Sequence, residues 1–410
     1  MADLSTSFFE PALKQYYDKA QVENLVYADR PLFAMLKKKT DFVGEVQKLP
    51  LIYGNPQGSS HTFSKAVANK TNSKLKAFLI SMASDYAIAT ISNEVLEASS
   101  NDRGAFLSVL TKEIDGAMDT LARRISIQLF RSGSGQIGKI AAAQSAGATI
   151  LSLANPDDIV NFEVGMTLVG DSADGGGTVG TTISYVVMVD RDSGTFSASA
   201  SQGGAAATAT TNDLTANQFI FVEGDYDLAL KGLQAWLPTT VALSDSFLGV
   251  NRSSDKTRLA GVYIDCSGLT MEEALIKGSV RASREGGKPD YCFINHTDYA
   301  RLQEELGSKI LYMDVKAGQE AVFMFRGIQL NGAGGRITVI ADRDCPSGEA
   351  FVLTTSTWAL LSRGEPVRLF QADGQRVLRE ANDDAVTARV ISYAQLTCNA
   401  PGFNCRIKLR

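Results

Sequence analysis

The apolar positions of this chain follow two periods. Leu107, Leu110, Ile114, Met118, Leu121, Ile125 and Leu129 recur every three or four residues, which places them on one stripe of an α-helix. Arg103 to Arg131 would form a helix about 43 Å long, opened by the capping cluster "SSND" and stopped at "SGSG". Upstream the period is two. "EVQKLPLIY" (45–53) reads as a strand and "GNPQGSSH" (54–61) as turn chemistry. "KLKAFLISMASDYAIATIS" (74–92) resumes as a strand with Phe78, Ile80, Met82, Tyr86 and Ile88 on one face. Leu75 to Ile91 would extend roughly 55 Å at about 3.3 Å per residue, against about 5–6 residues for a usual strand. A ribbon of that length overhangs a small domain. Its apolar stripe needs a cover, and the prediction is that a neighbouring subunit supplies it.

The rest of the chain divides by texture. Residues 8–38 are amphipathic in a largely helical pattern ending in "LKKKT", where Lys37, Lys38 and Lys39 would be a solvated helix end suited to the dipole. Residues 141–221 are short strands and turns, "ATILSLA", "MTLVGD", "ISYVVMVDRDSGTFSAS" and "NQFIFVEGD", with "RDSG" as a hairpin turn. From 222 the pattern is mixed. "LTMEEALIKGSVRASREG" (269–286) and "HTDYARLQEELG" are helical; "DYCFIN", "RITVIAD", "EAFVLTTSTWALLS" and "AVTARVISYAQLTC" are strands. No unit repeats at a solenoid period.

Composition narrows the classes. The length suggests about two or three domains, and the apolar content of 44% is that of an ordinary globular chain. A formal net charge of −5 advertises no nucleic-acid groove. No run of roughly 18 strongly apolar residues occurs, and the N-terminus lacks the order of a signal peptide, so neither a membrane span nor export is expected. The negative charge is concentrated. Residues 141–221 hold no lysine, one arginine and eight acids. They are expected to form an inserted small β-domain whose acids are solvated. "DSADGGG" lacks the spaced acids and terminal Glu of a calcium loop.

Candidate chemistry is sparse. The five cysteines, 266, 292, 345, 398 and 405, are scattered and odd in number. With no CxxC, this argues against both a disulfide framework and a structural zinc. Cys398 and Cys405 could be hairpin neighbours, but no bridge is expected. "GSGQIG" (133–138) matches a dinucleotide fingerprint, yet a helix precedes it where a strand is required. Cys292 and His296 stand four residues apart in "DYCFINHTDYARLQEEL". Cys292 lies mid-strand among apolar neighbours, the setting of an inert thiol, and Asn295 is placed to cap the next helix. A thiolate–imidazole catalyst needs an exposed thiol and a third, orienting group, and nothing here supplies them. No catalytic, cofactor-binding or metal residue is expected.

The strand–Asn–helix arrangement with Tyr299 and Leu302 resembles the axial domain of the major capsid proteins of tailed bacteriophages. The stretches "VENLVYADRPLFAML", "LPLIYGNPQGSSHTF", "EIDGAMDTLARRISIQLFRSGSG" and "SRGEPVRLFQADGQRVLREANDDAVTARVISYAQL" are also similar to such sequences. The resemblance covers nearly the whole chain. It implies an α+β fold with an N-terminal arm (1–40), an extended loop (41–93), a peripheral domain with a long spine helix (94–140), an axial domain (222–350) and returning strands (351–410). The 141–221 insertion lies outside that common core. The implied function is a non-enzymatic shell protein. It would self-assemble through pentamers and hexamers into an icosahedral virion capsid, built in the host cytoplasm around double-stranded DNA that it encloses without reading its sequence. Scaffolding, portal and decoration proteins are the implied partners. The implied intersubunit contacts lie on the extended loop: Tyr53, Asn55, Pro56, His61, Phe63, Lys65, Phe78, Ile80, Met82 and Tyr86. Two alternatives remain, an encapsulin-like nanocompartment shell of the same fold and, more distantly, a cytosolic hydrolase using Cys292 and His296.

Overall fold

The computed structural model describes residues 29–94, 103–145, 148–177, 179–203, 214–307, 312–316, 324–371, 377–380 and 383–410. The expected helical pattern at 8–28 and the "SSND" cluster lie outside them. The strands form a two-stranded ribbon and three sheets.

The first sheet runs β1 (Lys37–Lys39), β17 (Trp358–Ser362), β20 (Ala385–Cys398), β18 (Arg368–Leu369), with β4 (Ala83–Ser92) and β19 (Val377–Arg379) also paired to β20. Helix α3 (Arg103–Phe130) packs across it. Ile114, Met118, Leu121, Ile125 and Leu129 of the expected stripe are buried, in one core with Ala89, Ile91, Ala388, Val390 and Leu396. The side chains of Leu107 and Leu110 are outside the described set. Lys37–Lys39 is not a helix end. The helix stops earlier, as α1 (Pro31–Met35), and the lysines form β1 in parallel register with Ala359–Leu361. Phe33 and Leu36 go into the core on one side of the break, and the unsatisfied backbone beyond it takes a sheet partner.

The second sheet is mixed: β11 (Val262–Asp265), β21 (Cys405–Lys408), β16 (Glu349–Leu353), β12 (Tyr291–Ile294), β15 (Gly335–Ala341), β14 (Met324–Gly332), β13 (Tyr312–Lys316). Helices α6 (Met271–Arg284) and α7 (His296–Leu306) cover it. Thr270 and Glu273 close a capping box on α6, and the Asn295 side chain accepts from the Thr297 amide to start α7, as its sequence predicts. The expected single strand "EAFVLTTSTWALLS" is two. A 3-10 turn at Thr355–Thr357 sends β16 to this sheet and β17 to the first.

The third sheet is the insertion: β5 (Gln136–Lys139), β10 (Phe219–Val222), β7 (Thr167–Asp171), β8 (Ser184–Asp190), β9 (Thr195–Ser199), β6 (Leu151–Ser152). It has its own core, with Phe162 stacked on Phe196. Asp190 pairs with Thr195, so "RDSG" is the hairpin turn. The sheet starts at Gln136, before the composition changes. "GSGQIG" therefore leads into a strand, with Gly133 and Gly135 at φ +86° and +90° making the exit from α3.

The expected solvation of the insertion's acids is corrected. Asp158 is buried against Arg131 at the end of α3, at 2.6 Å. Glu163 pairs with Arg123 of the same helix. Asp157 accepts from Thr297 Oγ1 at 3.2 Å and faces Arg410 at 3.5 Å. Ser132 and Ser134 donate to Asp174. The glycine loop is tied as well: the Gly176 amide donates to Asp227 and the Gly177 amide to Tyr226 Oη. Half the segment's acids thus lock it to the rest of the subunit. Arg123, Arg131 and Arg410 lie outside the segment, so its charge sum could not reveal them.

The start of α1 is held by a buried carboxylate. Asp342 accepts from the Leu32 amide at 3.1 Å and the Asp344 amide at 3.0 Å. Burial, then the neighbouring Asp344, push its pKa up to about 7, while Arg343 opposes them. A carboxyl raised in the folded state binds a proton that the unfolded chain has released. The stability it contributes is complete at acid pH and is lost as pH rises through about 7. His296, whose pKa is lowered by partial burial and then by Arg343, acts in the opposite sense below its unfolded value. From about pH 4 to about 7 the contribution of Asp342 is therefore expected to fall with rising pH and to level off above that, so the melting temperature of Asp342→Asn should gain on that of the parent across this window. An unchanged slope in the variant would refute the assignment.

Candidate assembly interface

Strand β2 (Val46–Gly54) pairs only with β3 (Lys74–Ser81) among the described residues. Helix α2 (Phe63–Ala68), at the tip between them, has no buried residue. In antiparallel register opposite residues share a face. Leu49 with Phe78 and Leu51 with Lys76 form one face; Lys48 with Leu79, Pro50 with Ala77 and Ile52 with Leu75 form the other.

The first face is bolted to its own subunit. Phe78 meets Trp236 edge-on at 5.0 Å and Phe247 at 6.2 Å, and Ile80 is buried beside them. Trp236 ends α4 (Leu233–Trp236), and its indole donates to the Leu396 carbonyl of β20. The Leu79 amide donates to Leu248, and Lys76 Nζ donates to the Asn251 carbonyl and Ser254 at 2.7 Å. Arg258, in α5 (Lys256–Ala260), donates to the Tyr53 carbonyl at 2.8 Å. The second face has no such cover. Ile52 is 62% exposed, Leu75 57% and Leu79 41%; at the tip Phe63 is 86% exposed.

These positions revise the expected contact set. Phe78 and Ile80 are covered by their own chain and are not available to a neighbour. Met82 lies at a bend and packs partly on the same core. The single long strand expected at 74–92 breaks there, since β4 leaves the ribbon and pairs with β20 from Ala83↔Ala394 to Ser92↔Ala385. Tyr86 remains 56% exposed, edge-on to Tyr393 at 6.1 Å, with Ile88 exposed two residues on. Tyr53 is half-buried with Lys76 Nζ 5.8 Å over its ring, and Asn55, Pro56, His61, Phe63 and Lys65 are exposed on the tip. The sequence reading missed Ile52, Leu75 and Leu79. The alternation of residues 46–54 held the signal, but only the pairing register places Ile52 beside Leu75.

Cys292 and His296 do not form a catalytic pair. The Cys292 thiol is fully buried in the second sheet's core, and that burial pushes its pKa far up, leaving it protonated and un-nucleophilic. His296 is on the surface in the first turn of α7. No hydrogen bond joins the two among the described residues. All five cysteines are buried and unbridged, Cys398 and Cys405 included. Among the described residues no group of three or more His, Cys, Asp or Glu is placed to hold a metal, and no helix is long and apolar enough to cross a membrane.

The architecture is α+β: a ribbon, a long helix on one sheet, an inserted β-domain and a mixed sheet flanked by helices. Among the described residues its elements occur in the order implied by the resemblance to tailed-phage capsid proteins. No family profile and no curated protein matches the chain. Solved structures similar to it include a phage capsid, an encapsulin and a virus-like particle. The capsid of cyanophage A-1(L) is 12% identical, with 92% of each chain covered and a TM-score of 0.49. The SrpI encapsulin of Synechococcus elongatus PCC 7942 is 10% identical, covering 97% of this chain and 94% of its own, with a TM-score of 0.45. The virus-like particle of Pyrococcus furiosus is 10% identical, covering 94% and 96%, with a TM-score of 0.42.

Proposed function

We propose that this chain is the major capsid protein of a tailed bacteriophage. It self-associates through pentamers and hexamers into an icosahedral shell around double-stranded DNA, with a scaffolding protein guiding assembly in the host cytoplasm. The observation that carries the reading is the ribbon. Its inner face is fixed to the subunit by aromatic packing and hydrogen bonds. Its outer face and tip offer Ile52, Leu75, Leu79 and Phe63 to water. A free subunit gains nothing from holding such a face rigidly exposed; covering it with a second copy removes apolar area from water. Repeated around a closed shell, modest contacts of this kind sum to a stable particle. Tyr53, Asn55, Pro56, His61, Phe63 and Lys65 are the contact residues retained from the sequence reading, with Tyr86 on β4, in the first sheet, as a further exposed position.

Expression of the full chain with its scaffold, followed by negative-stain imaging and nuclease protection, tests the proposal. Closed shells that protect DNA are expected. Shells that hold protein and no nucleic acid would favour the encapsulin-like alternative, and a strictly monomeric mass under the same conditions would overturn both.

A further inference from the structure

The ribbon has a charge pattern that apolar covering does not explain. Residues 46–84 hold five lysines, at 48, 65, 70, 74 and 76, and no Asp or Glu. Lys76 is engaged within the subunit. Lys48, Lys65, Lys70 and Lys74 are exposed, and none has an acid partner among the described residues. On the tip helix Phe63 and Val67 are one turn apart and both exposed, so they share a face. Lys70 follows the last turn of the helix, whereas Lys65, two residues from each, lies on its other side. A surface both apolar and cationic fits one that is apolar and anionic.

The insertion carries such a surface. Met188 and Asp190 alternate onto one face of β8 and are exposed, with Asp192 in the turn that follows. Val164, 66% exposed, precedes Gly165, whose amide donates to Val186 of the same strand. Asp157, Asp158, Glu163 and Asp174 are engaged within the subunit as described, and Asp171 accepts from Tyr226 Oη at 2.7 Å. Asp190 and Asp192 have no basic partner among the described residues. Asp190 accepts from the Asp192 and Ser193 amides of its own turn at 3.1 and 3.3 Å.

We infer that the ribbon tip of one copy docks on the inserted β-domain of a second copy, with Lys70 facing Asp190 and Asp192 and with Phe63 and Val67 covering Val164 and Met188. Two different patches of one chain then meet, a heterologous contact that propagates head to tail and closes into rings. The inference rests on the shell reading and gives the insertion a role as the seat of the neighbour's ribbon. Exposed ion pairs are screened by salt, so assembly through this contact weakens as ionic strength rises.

A charge swap tests it on the full chain with its scaffold. Lys70→Glu should lower shell yield at least about tenfold through like-charge repulsion repeated at every contact. The altered side chain is exposed, so the subunit's melting temperature should hold. Adding Asp192→Lys to that variant, which leaves the turn bonds of Asp190 in place, should restore yield to near the parent. Normal yield from the Glu variant, or loss that the swap does not restore, overturns the inference while leaving the shell reading standing. Failure of the parent chain to form shells overturns the shell reading itself.

Discussion

A subunit whose residues 55–73 are replaced by an Asn-Gly turn is expected to fold and to form no shells. Gly54 and Lys74 already face each other across the ribbon, and Asn-Gly suits the tight turn that would join them. The tip contributes no buried side chain in α2. Its internal bonds, such as the Gln57 amide to Thr71 Oγ1, leave with it. Loss of subunit stability should stay within about 1 kcal/mol, as for surface changes away from a core. The root remains anchored through Phe78, Lys76 and Tyr53. Assembly loses Phe63, Val67, Lys65 and Lys70 at every contact. Melting curves and particle counts on the same preparation separate the two effects. Shells of normal size and number would show that the tip is not an intersubunit element.

The largest effect on the subunit itself is expected at Arg131. Its guanidinium is buried against Asp158. Burial pushes the Asp158 carboxyl up and Arg131 pulls it back, with Asp157 and Glu349 adding negative charge nearby. Asp174 and Glu349 also lie within reach of Arg131. Arg131→Met therefore leaves a group of carboxylates with no central cation, whereas Asp158→Asn leaves the cation with two other acids in range. Removing one partner of a buried pair costs about 3–5 kcal/mol, and the arginine variant should sit at the upper end. Replacing both, Arg131→Met with Asp158→Leu, should return to within about 1–2 kcal/mol of the parent, since apolar pairs often substitute for buried ion pairs. Thermal unfolding measures the cost. Faster proteolysis within 141–221 in the single variant, reversed in the double, would show that the pair docks the insertion. If the single arginine variant is as stable as the parent, this lock is not structural.

The same pair shows the limit of the sequence reading. Eight acids without lysine resemble a solvated surface because composition counts charges and not distances. Arg131 lies outside the segment, at the end of a helix, and only the fold brings it to Asp158. The lysine run at 37–39 misleads for a similar reason, since cations suit an edge strand as well as a helix end.

The amino-acid sequence by itself determined what depends on short-range periodicity and local bonding. The stripe from Ile114 to Leu129 defines α3, Asn295 caps α7, "RDSG" turns β8 into β9, and the apolar surroundings of Cys292 mark an inert thiol. Each rests on residues within a few positions of one another. The tertiary structure decided which faces are covered. Phe78 and Tyr86 stand on one alternating stripe in sequence, yet Phe78 is sealed beneath Trp236 and Tyr86 is exposed. The chain changes partner at Met82, from β2 to β20, and alternation specifies two faces of a strand without saying what lies against either.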